Sequence, residues 1–144
     1  MNRWQKLVEH AEKQTEQSAQ SMAVLRQKIA GVEAQRGQMQ AYREEYAQRA
    51  ATPGTVGSVS QLNIIRQFGE QVQQTVSELD EQLRMLRERY EALRNAWNEH
   101  YKREQALKAL QLLDEKKKAV KADRIQRREE DDFALLTRRR RDAG

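Results

Sequence analysis

A chain of 144 residues is long enough for one domain. With 34% charged and 38% apolar residues, one proline and six glycines, its composition argues against a rounded core and fits long helices and coiled coils. The absence of cysteine excludes a disulfide framework and a thiolate metal site and suits a reducing compartment. Apolar runs of at most four residues exclude a membrane span, so a cytoplasmic protein without membrane insertion is expected. The formal charge of +5 is unevenly spread. Residues 1–50 hold eight Lys/Arg and six Asp/Glu, residues 51–101 five and seven, and residues 102–144 fourteen and nine, so the last third carries the basic character.

The N-terminal MNRWQKLVEH is amphipathic and already carries a glutamate, which does not suit a signal peptide. It opens a first helix expected over about residues 2–50. A seam runs through Trp4, Leu7, Ala11, Thr15, Ser18, Met22, Leu25, Ile29, Val32, Arg36, Met39, Tyr42 and Tyr46. From Ala11 to Met39 its steps alternate four and three, a heptad pattern. The bend is expected over residues 51–58, where Pro53, Gly54, Gly57 and Ser58 gather. Ser58 followed by Gln61 fits a capping box opening a second helix over about 59–140.

That second helix has its own seam: Leu62, Ile65, Gly69, Val72, Val76, Leu79, Leu83, Leu86, Tyr90, Leu93, Trp97, Tyr101, Glu104 and Leu107. Folding it back on the first pairs Tyr46 with Ile65, Met39 with Val72, Val32 with Leu79, Ile29 with Leu83, Leu25 with Leu86 and Met22 with Tyr90. Further along, Ser18 meets Leu93, Thr15 meets Trp97, Ala11 meets Tyr101 and Trp4 meets Leu107. Large side chains then face small ones, with Tyr42 over Gly69, as dense packing between facing helices requires. The expected architecture is all-α: a long antiparallel two-helix coiled-coil hairpin forming a single domain over residues 1–144. Residues beyond about 110 lack a partner helix and form a C-terminal helical overhang.

Little in the sequence points to chemistry. His100 and Glu104 have the i, i+4 spacing of a metal pair, but two ligands without a third are weak, and His10 fits no metal motif. Neither a phosphate-binding glycine loop nor a nucleophile elbow is present. No catalytic residue, cofactor site or metal site is expected, and the chain reads as a non-enzyme. Trp4, Tyr90, Trp97 and Tyr101 fall on the seam and read as packing.

Two surfaces remain. Phe68 lies one residue off the seam, near Tyr42 and Tyr46, and with Met39 and Val72 makes an apolar, aromatic patch beside the bend. Tip packing and recognition are both open for it. The basic end, with Lys116, Lys117, Lys118, Lys121 and the run Arg138, Arg139, Arg140 and Arg141, is open to three readings. These are a solvated helix, a docking surface for an acidic protein, and a phosphate-bearing partner such as nucleic acid or a membrane surface. Phe133 is the only aromatic after Tyr101, which disfavours single-strand binding by stacking.

Across nearly its whole length the chain resembles the FliJ family, the small coiled-coil component of the bacterial flagellar type III export apparatus. The resemblance rests on AYREEY closing the first helix, NIIRQF opening the second, RNAWNEHYKREQALKALQLLDEKK in mid-helix, and REEDDFALLTRRR near the end. Asp132-Phe133 departs from the Asp-Glu pair and following small or aliphatic residue expected there. The resemblance implies a non-enzymatic stalk whose partners are the hexameric flagellar export ATPase, the cytoplasmic domain of the export gate protein FlhA, and export chaperones. Its location would be the cytoplasm, peripheral at the inner membrane. It implies a gate-facing patch of Gln35, Met39, Tyr42, Tyr46, Phe68 and Val72. The basic residues Lys116, Lys117, Lys118, Lys121 and Arg138 to Arg141 are then expected at the ATPase-binding end. The equivalent stalk of a virulence-type secretion system, a basic coiled-coil nucleic-acid-binding protein and a homo-oligomeric scaffold are the competing expectations.

Overall fold

The structure, a computed structural model, describes residues 2–52, 54 and 57–143. Two helices account for nearly all of them: α1, Arg3–Ala51, and α2, Val59–Ala143. They pack against each other as an all-α hairpin, with no strand among the described residues.

Local chemistry fixes the helix ends. At the start of α1, Asn2 Oδ1 accepts a hydrogen bond from Gln5 N at 2.8 Å while Asn2 N donates to Gln5 Oε1 at 3.2 Å, a reciprocal capping box. α1 ends where Thr52 donates both its N–H and its hydroxyl to the Gln48 carbonyl. Gly54 follows with φ +87°, a left-handed backbone that glycine adopts at no steric cost. The neighbouring Pro53, expected at the bend, lies outside the described residues. Ser58 Oγ accepts from Gln61 N at 3.2 Å, and Gln61 reaches back to accept from Gly57 N at 2.8 Å. The box expected at Ser58 is therefore formed, with its return bond landing one residue earlier on the backbone.

The chain divides into two compact units, residues 16–99 and residues 1–15 with 100–144. In the first, Leu25, Val32, Leu83 and Leu86 form a buried cluster, with Ile29, Leu79, Tyr90 and Leu93 packed against it. These are the layers the heptad register pairs. Met22, Val72 and Val76 are buried as well. The seam is flanked by cross-helix contacts: Arg26 Nη2 donates to the Tyr90 hydroxyl at 3.4 Å, Arg87 meets Glu33 at 3.0 Å, and Arg36 pairs with Asp80. Residue numbers rise on one helix as they fall on the other, so the pairing is antiparallel. Hydrogen bonding to Asp80, and then its charge, raise the Arg36 pKa above its ordinary value. On the outer face of α2, Arg84 is shared by Glu81 and Glu88, each at 2.6 Å. Such exposed pairs stabilise a helix by only about 0.3–0.5 kcal/mol each, so the apolar layers dominate.

In the second unit, Val8 and Ala11 are buried and Trp4, Leu7 and Leu107 are half-buried. Glu104 is also buried, at 8% exposure. Its carboxylate lies 4.0 Å from Lys108 Nζ, which reaches across to Glu12 at 3.5 Å. Gln105 Nε2 donates to it at 3.3 Å. Burial in this unit stops at Gln111 and Asp114. Residues 115–143 are exposed throughout, which is the expected helical overhang. Own-helix pairs at i, i+4, Asp114–Lys118 at 3.2 Å and Asp123–Arg127 at 3.3 Å, support it.

Three seam positions differ from expectation. Val8 is buried and Leu7 only half-buried, Tyr42 is exposed, and His100 is more buried than Tyr101, which is 43% exposed. At the first and third, burial keeps a strict alternation of four and three, through Trp4, Val8, Ala11 and Thr15 and through Trp97, His100 and Glu104, whereas beside the bend Tyr42, Arg43 and the seam residue Leu62 are all exposed. Helix geometry fixes which residue faces the partner, and a larger apolar neighbour does not pull the seam aside.

Candidate docking surfaces

The turns on either side of the bend carry the aromatic patch. Tyr46 and Phe68 are in direct contact, their ring centroids 4.2 Å apart and tilted by 41°. Both are half-buried, as are Met39 and Gly69. Arg49 lies over the Tyr46 ring at 5.5 Å while pairing with Glu45 at 2.9 Å, a cation–π contact that fixes one face of the ring. Gln35 is exposed and Tyr42 is 48% exposed, whereas Val72 is buried in the seam. Of the six patch residues, Tyr42 and Gln35 are exposed, Met39, Tyr46 and Phe68 are half-buried, and Val72 is buried.

Tyr42 does not cover Gly69. A methyl group built at Gly69 would meet nothing within 4 Å. Tyr42 lies one position off the heptad, and Arg43 takes the place expected for it. The missing side chain leaves an open groove instead, lined by Arg43, Tyr46, Ala47, Ile65, Arg66, Gly69, Glu70 and Gln73. Sequence reasoning missed this feature, although Arg43 and the bare Gly69 carry its signal once the heptad is followed strictly. The cross-helix ion pairs were likewise legible as residues flanking the seam.

The basic residues stand on the exposed end of α2. Lys116, Lys117, Lys121 and Arg124 surround Val120 on one shallow surface. Lys118 pairs with Asp114 on its own helix. The expected set therefore separates into three lysines grouped with Arg124, which sequence reasoning left out, and one lysine neutralised locally. Arg138, Arg139, Arg140 and Arg141 are all exposed. Arg140 and Arg141 lie in the last turn, where the helix dipole favours positive charge.

Among the described residues no group of three His, Cys, Asp or Glu side chains could hold a metal ion, and no helix is long and apolar enough to cross a membrane. The Glu104 carboxylate of the possible His100–Glu104 pair is engaged by Lys108 and Gln105.

The profile of the family described as Flagellar FliJ protein matches residues 1–143. No curated protein and no solved structure matches the chain. A match over this span, on an all-α hairpin with heptad-packed helices, shows that the chain belongs to the FliJ family of flagellar export coiled-coil proteins.

Proposed function

We propose that the chain is a non-enzymatic stalk of the flagellar export apparatus, joining the hexameric export ATPase to the cytoplasmic domain of FlhA and receiving export chaperones. It works in the cytoplasm, peripheral to the inner membrane. The observation that carries this reading is the chemical difference between surfaces in two separate units. The Tyr46–Phe68 pair, with exposed Tyr42, belongs to residues 16–99, and the basic, unpartnered end of α2 to the other unit. An aromatic cluster partly open to water has the character of an interface hot spot. A cationic helix with no covering partner suits an acidic protein surface.

In this reading Gln35, Met39, Tyr42, Tyr46, Phe68 and Val72 form the gate-facing patch, and Lys116, Lys117, Lys121 and Arg138 to Arg141 seat the ATPase, with Lys118 in a minor part. Replacing Tyr42, Tyr46 and Phe68 together by alanine is expected to abolish capture of the FlhA cytoplasmic domain while leaving capture of the ATPase and helical content unchanged. Retained capture of the FlhA domain would sink the assignment of the patch. Binding of a DNA duplex that persists at physiological salt would instead favour a nucleic-acid function, because purely electrostatic contacts weaken steeply as salt rises.

A further inference from the structure

The Gly69 groove shares only Tyr46 with the gate-facing patch, so it is a second surface on the same unit. Its chemistry is specific. Ile65 and Tyr46 give it apolar walls, and Gly69 leaves its floor open. Among the described residues, neither Arg43 nor Arg66 forms an ion pair, so two guanidinium groups, with the single carboxylate of Glu70, line an apolar slot whose charge is net positive. The complement is an apolar side chain next to acidic residues.

The chain carries such a segment. Glu129, Glu130, Asp131 and Asp132 precede Phe133, Leu135 and Leu136. Phe133 is 72% exposed and both leucines are exposed. Glu130 meets only Gln126, at 3.3 Å, and the other three carboxylates form no ion pair among the described residues. Along α2, Glu129, Phe133, Leu136 and Arg140 recur at helical spacing on one face. A carboxylate, two apolar groups and a cation therefore stand in line, against arginines, an apolar slot and Glu70.

We propose that the groove receives residues 129–140 of a second copy of this chain. The contact is heterologous, since different surfaces of the two copies meet, so a pair keeps one free groove and one free segment, and each interior copy of a longer row is engaged through both. Self-association would occupy Tyr46 and the basic helix end together, and it would withhold both surfaces from partners until the chain enters the apparatus. The inference does not depend on which proteins those partners are.

Sedimentation velocity of the full chain over a wide concentration range tests it. Mass is expected to rise with concentration at low salt and fall back towards monomer as salt is added. The paired changes Arg43→Glu and Arg66→Glu, or Glu129→Arg and Asp132→Arg, should each weaken association by about tenfold or more, and the two variants mixed together should associate again. Gly69→Leu, whose Cβ would meet nothing within 4 Å, should weaken it similarly while leaving helicity intact. A monomer at every concentration overturns the proposal. So does association indifferent to these changes, or a mixture that fails to restore it.

Discussion

The rings of Tyr46 and Phe68 touch across the two helices, 4.2 Å between centroids, and so tie the last turns of α1 to the first turns of α2. Tyr42, one helical turn earlier, makes no comparable contact and is half exposed. The two tyrosines should therefore separate in their effects. Tyr46→Ala should cost about 1 kcal/mol of stability through the lost aromatic pair, and Tyr42→Ala less than about 0.5 kcal/mol. Urea unfolding followed by circular dichroism measures both. If Tyr42 proves the more costly, the seam has been placed one residue out.

Two glycines predict opposite outcomes. Gly54 has a positive φ, where a side chain is strained, whereas Gly69 is helical with free space beside it. Gly54→Ala should destabilise by about 1 kcal/mol and Gly69→Ala should stabilise by a similar amount. Thermal melts of the two variants against the parent would show shifts of opposite sign.

Glu104 places a carboxylate in an otherwise apolar seam, with Lys108 as its nearest counter-charge at 4.0 Å. Replacing a buried acid by an apolar residue of similar volume removes its desolvation cost, so Glu104→Leu is expected to stabilise by about 1 kcal/mol. Lys108→Met should destabilise by about 1–3 kcal/mol, because it leaves the buried carboxylate without that partner. Equal effects of the two changes on the denaturation midpoint would show that the pair does not act in this way.

Acid should erode the Glu81–Arg84 pair. A hydrogen bond from Arg84, aided by its charge, holds the Glu81 carboxyl below its ordinary value against a smaller opposing effect of burial. A depressed folded-state pKa gives stability that is complete above the ordinary carboxylate range and is lost as pH falls through the folded value. The parent is therefore expected to melt above Glu81→Gln near neutral pH, and this gap is expected to close as pH falls below the ordinary carboxylate range, because the variant lacks the titrating group. A gap that opens only on acidification would contradict this sign.

Much of the fold was legible because a coiled coil writes its partner surface as a period. The layers joining Leu25 to Leu86 and Val32 to Leu79 follow from spacing alone, and so does the overhang, since nothing on α1 remains to meet residues beyond Asp114. Two misplacements share one cause. At Leu7 against Val8 and Tyr101 against His100, side-chain size suggested one residue and the strict heptad another, and the heptad prevailed, whereas Tyr42 and Arg43 are both exposed. The cost was the Gly69 groove, hidden as long as Tyr42 was set over that glycine. The pairing of Lys118 with Asp114 was visible at i, i+4 spacing, but which of the clustered lysines remained free was not, because that depends on where each faces around the helix.

The account's central claim is that one chain holds two different neighbours through two separate surfaces, and co-capture of the export ATPase and the FlhA cytoplasmic domain tests it most directly. The full chain should bring both into one complex. A chain ending at Asp114 should retain the FlhA domain and lose the ATPase, and the full chain with Tyr42, Tyr46 and Phe68 all replaced by alanine should do the reverse. Mutually exclusive binding of the two partners, or an ATPase still held by the shortened chain, would contradict the claim.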